Sequence, residues 1–205
     1  MLTIALPKGR IADETLAIFE SIFGEKFVFE DRKLILEVGQ FRFLLVRNQD
    51  VPVYVLHQAA DLGVVGLDVL EEKELDLVQL LDLGIGKCRV CVGMRDEDTL
   101  DYDKPEITVA SKMENIAKKY FSNKAVAVKV IKLYGSIELA PLVGLCDAIV
   151  DVVETGATMK QNGLKVVETI MESSAHLIAN KNSFIAKKEE ILDVYHKISQ
   201  TLGRA

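Results

Sequence analysis

Ala148-Ile149-Val150-Asp151-Val152-Val153-Glu154-Thr155-Gly156-Ala157-Thr158 is the stretch that decides the fold. It starts as an apolar strand, broken only by Asp151. An acid-bearing turn follows, then a Thr-Gly-x-Thr loop and a short helical run closed by Asn162-Gly163. Strand, tight turn and helix in that order form the repeating unit of an α/β protein. The loop also suits a monophosphate. Gly156 lets the backbone come close to an anion, and Thr155 and Thr158 supply hydroxyl donors. The amides that open the helix at Ala157 point at the same place. Asp151 and Glu154 are badly placed to bind phosphate but well placed to accept hydrogen bonds from ribose hydroxyls or to help hold a metal. A capped strand-to-helix turn with no ligand has the same composition, since Thr and Gly are common there.

Working outward, the same alternation extends over the chain. Leu2–Leu6 reads as a buried strand, followed by Ala12, Leu16, Phe19 and Phe23 at helical spacing and Gly24 as the stop. Phe27–Phe29, Leu34–Val38 and Phe41–Val46 read as short strands, with a turn at Gly39-Gln40 between the last two. Asp50 and Pro52 start a helix expected to run to about Ala60. Leu62–Val65 is the next strand, and Asp68 opens a short helix. Beyond residue 84, strands are expected at Val90–Gly93, Ile107–Ala110, Val126–Ile131 and Ala148–Val153, with helices at Met113–Phe121 and Ile137–Leu142. Arg95–Glu106 is polar and reads as a surface loop. Residues 164–180 hold extended apolar runs, and Lys187–Leu202 is a final amphipathic helix. The pattern implies an α/β fold with mainly parallel sheets.

Two further loops carry site signals. Tyr134-Gly135-Ser136-Ile137-Glu138 follows a strand and precedes a helix, so Gly135 and Ser136 form a second candidate anion-binding helix start. Pro7-Lys8-Gly9-Arg10 places two cations around a glycine at the C-terminal end of the first strand, the edge where open α/β sheets bind ligands. A solvated basic turn is the competing account of that loop. Arg32 and Arg47 are weaker signals by themselves; Arg47, at the end of another strand and just before the Asp50-Val51-Pro52 helix start, could reach the same edge.

The composition limits the remaining classes. With 205 residues the chain suits one large or two small domains, and a formal net charge of −6 argues against general nucleic-acid binding. No stretch approaches the roughly 20 apolar residues of a membrane span, and no signal segment is visible after Met1, which points to a cytoplasmic protein. Three cysteines suit a reducing compartment. Cys88 and Cys91 form a CxxC, but residues three apart on a strand face opposite ways and no second pair completes a zinc site. His57, His176 and His196 are scattered and read as structural or surface residues.

Several segments, in order, resemble the ATP phosphoribosyltransferase family: Leu6–Arg10, Asp50–Val55, Ala60–Leu70, Gly135–Pro141 and Asp147–Thr158. The last resembles the family's phosphoribosyl pyrophosphate signature. The resemblance implies two α/β lobes, like the type II periplasmic binding proteins, with the active site in the cleft. The first lobe is expected to hold residues 1–90 and 171–205, and the second 91–170. It also implies transfer of the phosphoribosyl group to N1 of ATP, with release of magnesium pyrophosphate, as the first step of histidine biosynthesis. In that picture Thr155, Gly156, Ala157 and Thr158 hold the 5′-phosphate, and Asp151 and Glu154 face the ribose. Gly135, Ser136 and Asp68 join the substrate-binding set, while Lys8, Arg10, Arg32 and Arg47 act on the pyrophosphate and the ATP phosphates. Mg²⁺ is the implied cofactor, with its protein ligands unassigned. The chain's end at Ala205 resembles the family's short form, which lacks a regulatory domain and works in a hetero-oligomer built on catalytic-chain dimers with a histidyl-tRNA-synthetase-like subunit. A two-lobed solute-binding protein and a non-catalytic regulatory homologue are the alternatives.

Overall fold

A computed structural model describes residues 1–204. In chain order the elements begin with β1 (Leu2–Pro7), α1 (Arg10–Phe23), β2 (Ile35–Val38), β3 (Phe41–Val46), α2 (Val51–Leu56), β4 (Leu62–Gly66), α3 (Leu67–Lys73) and β5 (Val78–Asp82). Then come β6 (Cys88–Arg95), β7 (Ile107–Ser111), α4 (Glu114–Asn123), β8 (Val128–Lys132), α5 (Leu139–Leu142), β9 (Ala148–Val153) and α6 (Ala157–Gln161). The chain closes with β10 (Leu164–Ser173), β11 (Ala175–Ala179), α7 (Lys181–Ala186) and α8 (Lys188–Thr201). It divides into two compact units. The first comprises Met1–Leu70, Glu74–Gly86 and the described residues from Ser174 on; the second comprises Glu71–Lys73 and Lys87–Ser173.

The first unit holds a six-stranded sheet in the order β2-β3-β1-β4-β11-β5. β1 runs parallel to β3 and β4, while β2, β11 and β5 pair antiparallel to their neighbours. Alternate residues feed opposite faces: Leu2, Ile4, Leu6 and Val64 join one apolar cluster, Ala5 and Val65 the other. On the first face α1 contributes Ala12, Leu16 and Phe19, the helical stripe expected from their spacing. Its end at Gly24 is also as expected, the Gly24 amide donating to the Glu20 carbonyl at 3.0 Å.

Phe27–Phe29 is not a strand. Phe27 is buried, but it packs its ring edge-on against Phe19 and Phe43, and its amide donates to Glu20 Oε1 at 2.9 Å. The apolar residues there fill a ring cluster instead of joining a ladder, which a short run of aromatics cannot distinguish in sequence. The helix from Asp50 is also shorter than expected: α2 ends at Leu56 after a 3₁₀ turn over Asn48–Asp50.

The second unit holds a five-stranded sheet in the order β10-β6-β9-β7-β8. β9, β7 and β8 are mutually parallel, and β6 pairs antiparallel with both β9 and β10. Both sheets are therefore mixed, not mainly parallel. The added antiparallel strands come from the β2–β3 hairpin and from β5, β6, β10 and β11, whose long-range partners local sequence does not reveal. Val90, Val92 and Met94 of β6 enter one cluster and Cys91 the other, so the CxxC faces both ways as its spacing implied. Of the three cysteines Cys91 is buried, and Cys88 and Cys146 are half-buried. Among the described residues no helix is long and apolar enough to cross a membrane.

Asp61 ties the first unit together. Its Oδ2 accepts from the Thr3 amide at 2.9 Å and from Lys187 Nζ at 2.8 Å, linking β1 and β4 to the start of α8. Burial alone would raise the Asp61 carboxyl, but the Lys187 ammonium and the Thr3 amide outweigh it and hold it below the usual carboxylate range. The resulting stability is fully present above the unfolded value of about 3.9 and is lost as pH falls through the lower folded value. Lys187→Met should cost about 1–2 kcal/mol at pH 7. Urea denaturation from pH 7 to pH 3 should show the gap between the two proteins narrowing below about pH 4.

Candidate functional site

Parallel strands finish at one edge of a sheet, so the loops that follow them collect there. In the second unit those loops follow β7, β8 and β9, which share one direction. β9 delivers the signature loop. Gly156 stands at the start of α6 with φ 81° and ψ 0°, a left-handed conformation that glycine adopts freely. Thr155 and Thr158 are exposed on either side of it. The Thr155 hydroxyl accepts from the Ala157 amide at 3.3 Å, which leaves its own proton to donate outward. The Ala157 amide is taken by that hydroxyl, and the next two amides of α6 have no helical carbonyl to bond to. Met159, on the inner side of α6, is buried against the sheet and anchors the short helix.

A pocket of about 400 Å³ lies over this loop, lined by Glu138, Asp151, Glu154, Thr155, Gly156 and Thr158 among others. The structure thus brings both acids of the motif to its hydroxyls. Asp151 is 8% exposed, and Glu154 stands at the surface. Gly135 and Ser136 share the sheet edge but do not line this pocket; Glu138 represents their segment there. The helix expected at Ile137 begins only at Leu139 and lasts four residues, so Gly135 and Ser136 form an exposed turn and not a helix start. The Leu139 amide donates to the Ser136 carbonyl at 3.1 Å, and a separate turn after α5 is closed by the Gly144 amide on the Pro141 carbonyl, with Gly144 in the left-handed region.

Lys112 was not among the residues singled out in the sequence. It follows β7 directly, and its Nζ lies 3.2 Å from Asp151 Oδ1. Nothing local marks it; only the parallel pairing of Ser111 with Val150 sets the next residues, Lys112 and Asp151, side by side.

In the first unit, Lys8 and Arg47 follow the adjacent parallel strands β1 and β3, and the Lys8 amide donates to the Val46 carbonyl at 3.0 Å. Gly9 adopts φ 104° and ψ −155°, a combination essentially confined to glycine, between Lys8 and Arg10. Arg10 Nε sits 3.5 Å from Glu14 in the first turn of α1. Arg32 lies on an exposed left-handed turn before β2. Because β2 is antiparallel to β3, with Ile35 opposite Leu44, that turn comes to the same edge as Lys8 and Arg47. All four cations are exposed there. Asp68, which follows β4, is buried in the first turn of α3. Lys8 and Gly9 also border a pocket of about 570 Å³ walled by Ala12, Leu16, Phe27, Phe29 and Leu45.

Comparisons with known proteins agree on one family. The family model for ATP phosphoribosyltransferase matches residues 47–200. The ATP phosphoribosyltransferase of Campylobacter curvus is 72% identical over 204 residues, covering 100% of this chain and 99% of that protein. That of Wolinella succinogenes is 68% identical over 200 residues, covering 98% and 97%. Among solved structures, the ATP phosphoribosyl transferase (HisG:HisZ) complex from Thermotoga maritima matches with a TM-score of 0.86 and 32% identity over the whole of both chains. The periplasmic aliphatic sulphonate binding protein of Escherichia coli matches with a TM-score of 0.64 and 14% identity, covering 98% of this chain and 72% of that one, which is a likeness of fold alone.

The loop geometry makes a direct prediction. A Cβ at Gly156 would meet only Val153 Cγ1 at 3.8 Å, an ordinary contact, so the cost of a side chain there lies in the backbone. Gly156→Ala should lose about 1–2 kcal/mol in urea denaturation. It should also weaken binding of inorganic phosphate, measured by calorimetry, as the loop relaxes away from its left-handed turn.

Proposed function

The chain belongs to the ATP phosphoribosyltransferase family, and from that premise we propose how its residues divide the work of the reaction. The enzyme is a pentosyltransferase that joins ATP to phosphoribosyl pyrophosphate, with N1 of the adenine ring taking the phosphoribosyl group and pyrophosphate leaving, in histidine biosynthesis. End-to-end identity of 72% with a protein of that name carries the assignment. The alternative of a solute-binding protein rests only on the fold likeness at 14% identity. A non-catalytic homologue has no need of the complete set of loop acids, hydroxyls and cations found in this chain.

In this proposal Thr155, Gly156, Ala157 and Thr158 hold the 5′-phosphate of the phosphoribosyl group. Two hydroxyls and the first-turn amides of α6 neutralise a dianion without needing a net positive chain. Asp151 and Glu154 accept hydrogen bonds from the ribose hydroxyls. Gly135 and Ser136, as an exposed turn on the same sheet edge, and Asp68 complete the substrate contacts. Lys8, Arg10, Arg32 and Arg47 of the first unit balance the charge of the leaving pyrophosphate and the ATP phosphates. Adenine N1 is unprotonated at neutral pH, so the nucleophile needs no general base. The barrier then falls by holding C1 of the ribose in line with N1 and by stabilising charge on the departing oxygen.

Among the described residues no group of three His, Cys, Asp or Glu side chains is set to cage a metal ion. The carboxylates of Glu138, Asp151 and Glu154 around one pocket fit an ion held mainly through substrate oxygens and water. We propose Mg²⁺ in that role, supplying added charge neutralisation to the pyrophosphate when bound. The relative from Thermotoga maritima was solved as a HisG:HisZ complex. We propose that this chain likewise works in a hetero-oligomer, built on catalytic-chain dimers with a histidyl-tRNA-synthetase-like regulatory subunit, in the cytoplasm.

Pyrophosphate release that requires both ATP and phosphoribosyl pyrophosphate is the expected result with the chain and its regulatory subunit; no release with both substrates present would overturn the assignment. Thr158→Val removes one hydroxyl donor to a charged group, worth roughly 1.5–3 kcal/mol. Calorimetry should show affinity for phosphoribosyl pyrophosphate falling about tenfold or more without loss of fold. The Arg32→Ala/Arg47→Ala double variant should lose turnover more than ATP affinity, because the charge these residues meet grows in the transition state. Normal turnover in that variant would remove both arginines from the reaction.

A further inference from the structure

We propose that Lys112 is a positioning residue for the reaction and acts through Asp151. The inference rests on the assignment of Asp151 to the ribose hydroxyls and adds the group that fixes this carboxylate. Asp151 lines the pocket over the signature loop and Lys112 does not, so Lys112 reaches the substrate only by way of its partner.

The backbone around Lys112 is held tightly. Ser111 Oγ donates to the Val150 carbonyl at 2.6 Å and accepts from the Met113 amide at 2.8 Å, both inside the core. One hydroxyl thus pins β7 to β9 and sets the turn from which Lys112 projects. The Asp151 side chain is only 11% exposed, against 39% for that of Lys112. Its Oδ1 accepts from the Val152 amide at 2.8 Å and is ion-paired with Lys112 Nζ at 3.2 Å. Among the described residues Oδ2 accepts no hydrogen bond, and it is the oxygen left to meet a ligand hydroxyl. The amide bond and the ion pair on Oδ1 together hold the carboxylate, so Oδ2 is aimed before substrate arrives and less rotamer freedom is lost on binding. The cation has an electrostatic duty too. Asp151 borders the pocket with Glu138 and Glu154, and Lys112 offsets its charge beside a substrate that is itself polyanionic.

The test is a double-mutant cycle in steady-state kinetics, using the full chain with its regulatory subunit. The proteins are wild type, Lys112→Met, Lys112→Arg, Asp151→Asn and the Lys112→Met/Asp151→Asn double variant. Lys112→Met should raise KM for phosphoribosyl pyrophosphate about tenfold, with KM for ATP and the thermal midpoint unchanged. Lys112→Arg should recover most of that loss. Asp151→Asn should raise the same KM, and adding Lys112→Met to it should do nothing more, because the lysine has lost the group it acts through. The inference is overturned if Lys112→Met leaves KM for phosphoribosyl pyrophosphate alone while Asp151→Asn raises it. It is equally overturned if the two effects add in full, or if Lys112→Met lowers the thermal midpoint and raises both KM values alike. Should Asp151→Asn itself leave that KM unchanged, the placement of Asp151 against the ribose fails, and the role of Lys112 fails with it.

Discussion

The parallel pairing of β9 with β7 is the constraint on which the candidate site depends. A parallel ladder sends both strand ends to one edge, and its register decides which residues emerge side by side. Here the register stops at Ser111 opposite Val150, and the next residues out are Lys112 and Asp151. A shift of one residue would turn every side chain of β9 to the other face and carry Asp151 away from the pocket. The buried Ser111 hydroxyl, bonded to the Val150 carbonyl, marks that register from inside the sheet.

Beyond the strand end the loop solves a charge problem. The chain carries a formal net charge of −6, so its overall field repels polyphosphates. Local groups have to reverse that. The left-handed turn at Gly156 presents backbone amides and two hydroxyls, fixed dipoles that suit a phosphate without adding net charge. In the first unit the same edge rule assembles a different surface. Lys8 and Arg47 leave neighbouring parallel strands, and the antiparallel β2 returns Arg32 to the same end. Hydroxyls and amides for one phosphate, and cations for the group that leaves, fit a displacement in which charge builds on pyrophosphate.

Much of this was legible before any coordinates. The strand at Ala148–Val153, the helix stopped by Gly24 and the final helix from Lys188 follow from periodicity and caps, which act over a few residues. The signature loop was legible for the same reason: its glycine, hydroxyls and acids lie within one short stretch. The misses have a shared cause. Phe27 is buried by other aromatic rings and not by a strand ladder. β5 has partners on β11, far along the chain, and its five residues carry too weak a pattern to stand out. The helix expected at Ile137 shrank to four residues because the backbone turns at Ser136 and again at Gly144.

The sequence by itself determined the α/β class, the phosphate-type loop and the cations that follow β1 and β3, because each is written in contiguous residues whose local conformational preferences agree. Only the tertiary structure decided which of these groups meet. The pairing of Lys112 with Asp151 spans residues whose proximity follows from strand order and register, properties of the whole sheet. Likewise Glu138, and not Gly135 or Ser136, reached the pocket over the signature loop, since the path of an exposed turn is set by what packs beneath it. The mixed character of both sheets belongs to the same category. An antiparallel strand and a parallel one can have the same buried apolar composition, and only the partner across the ladder tells them apart.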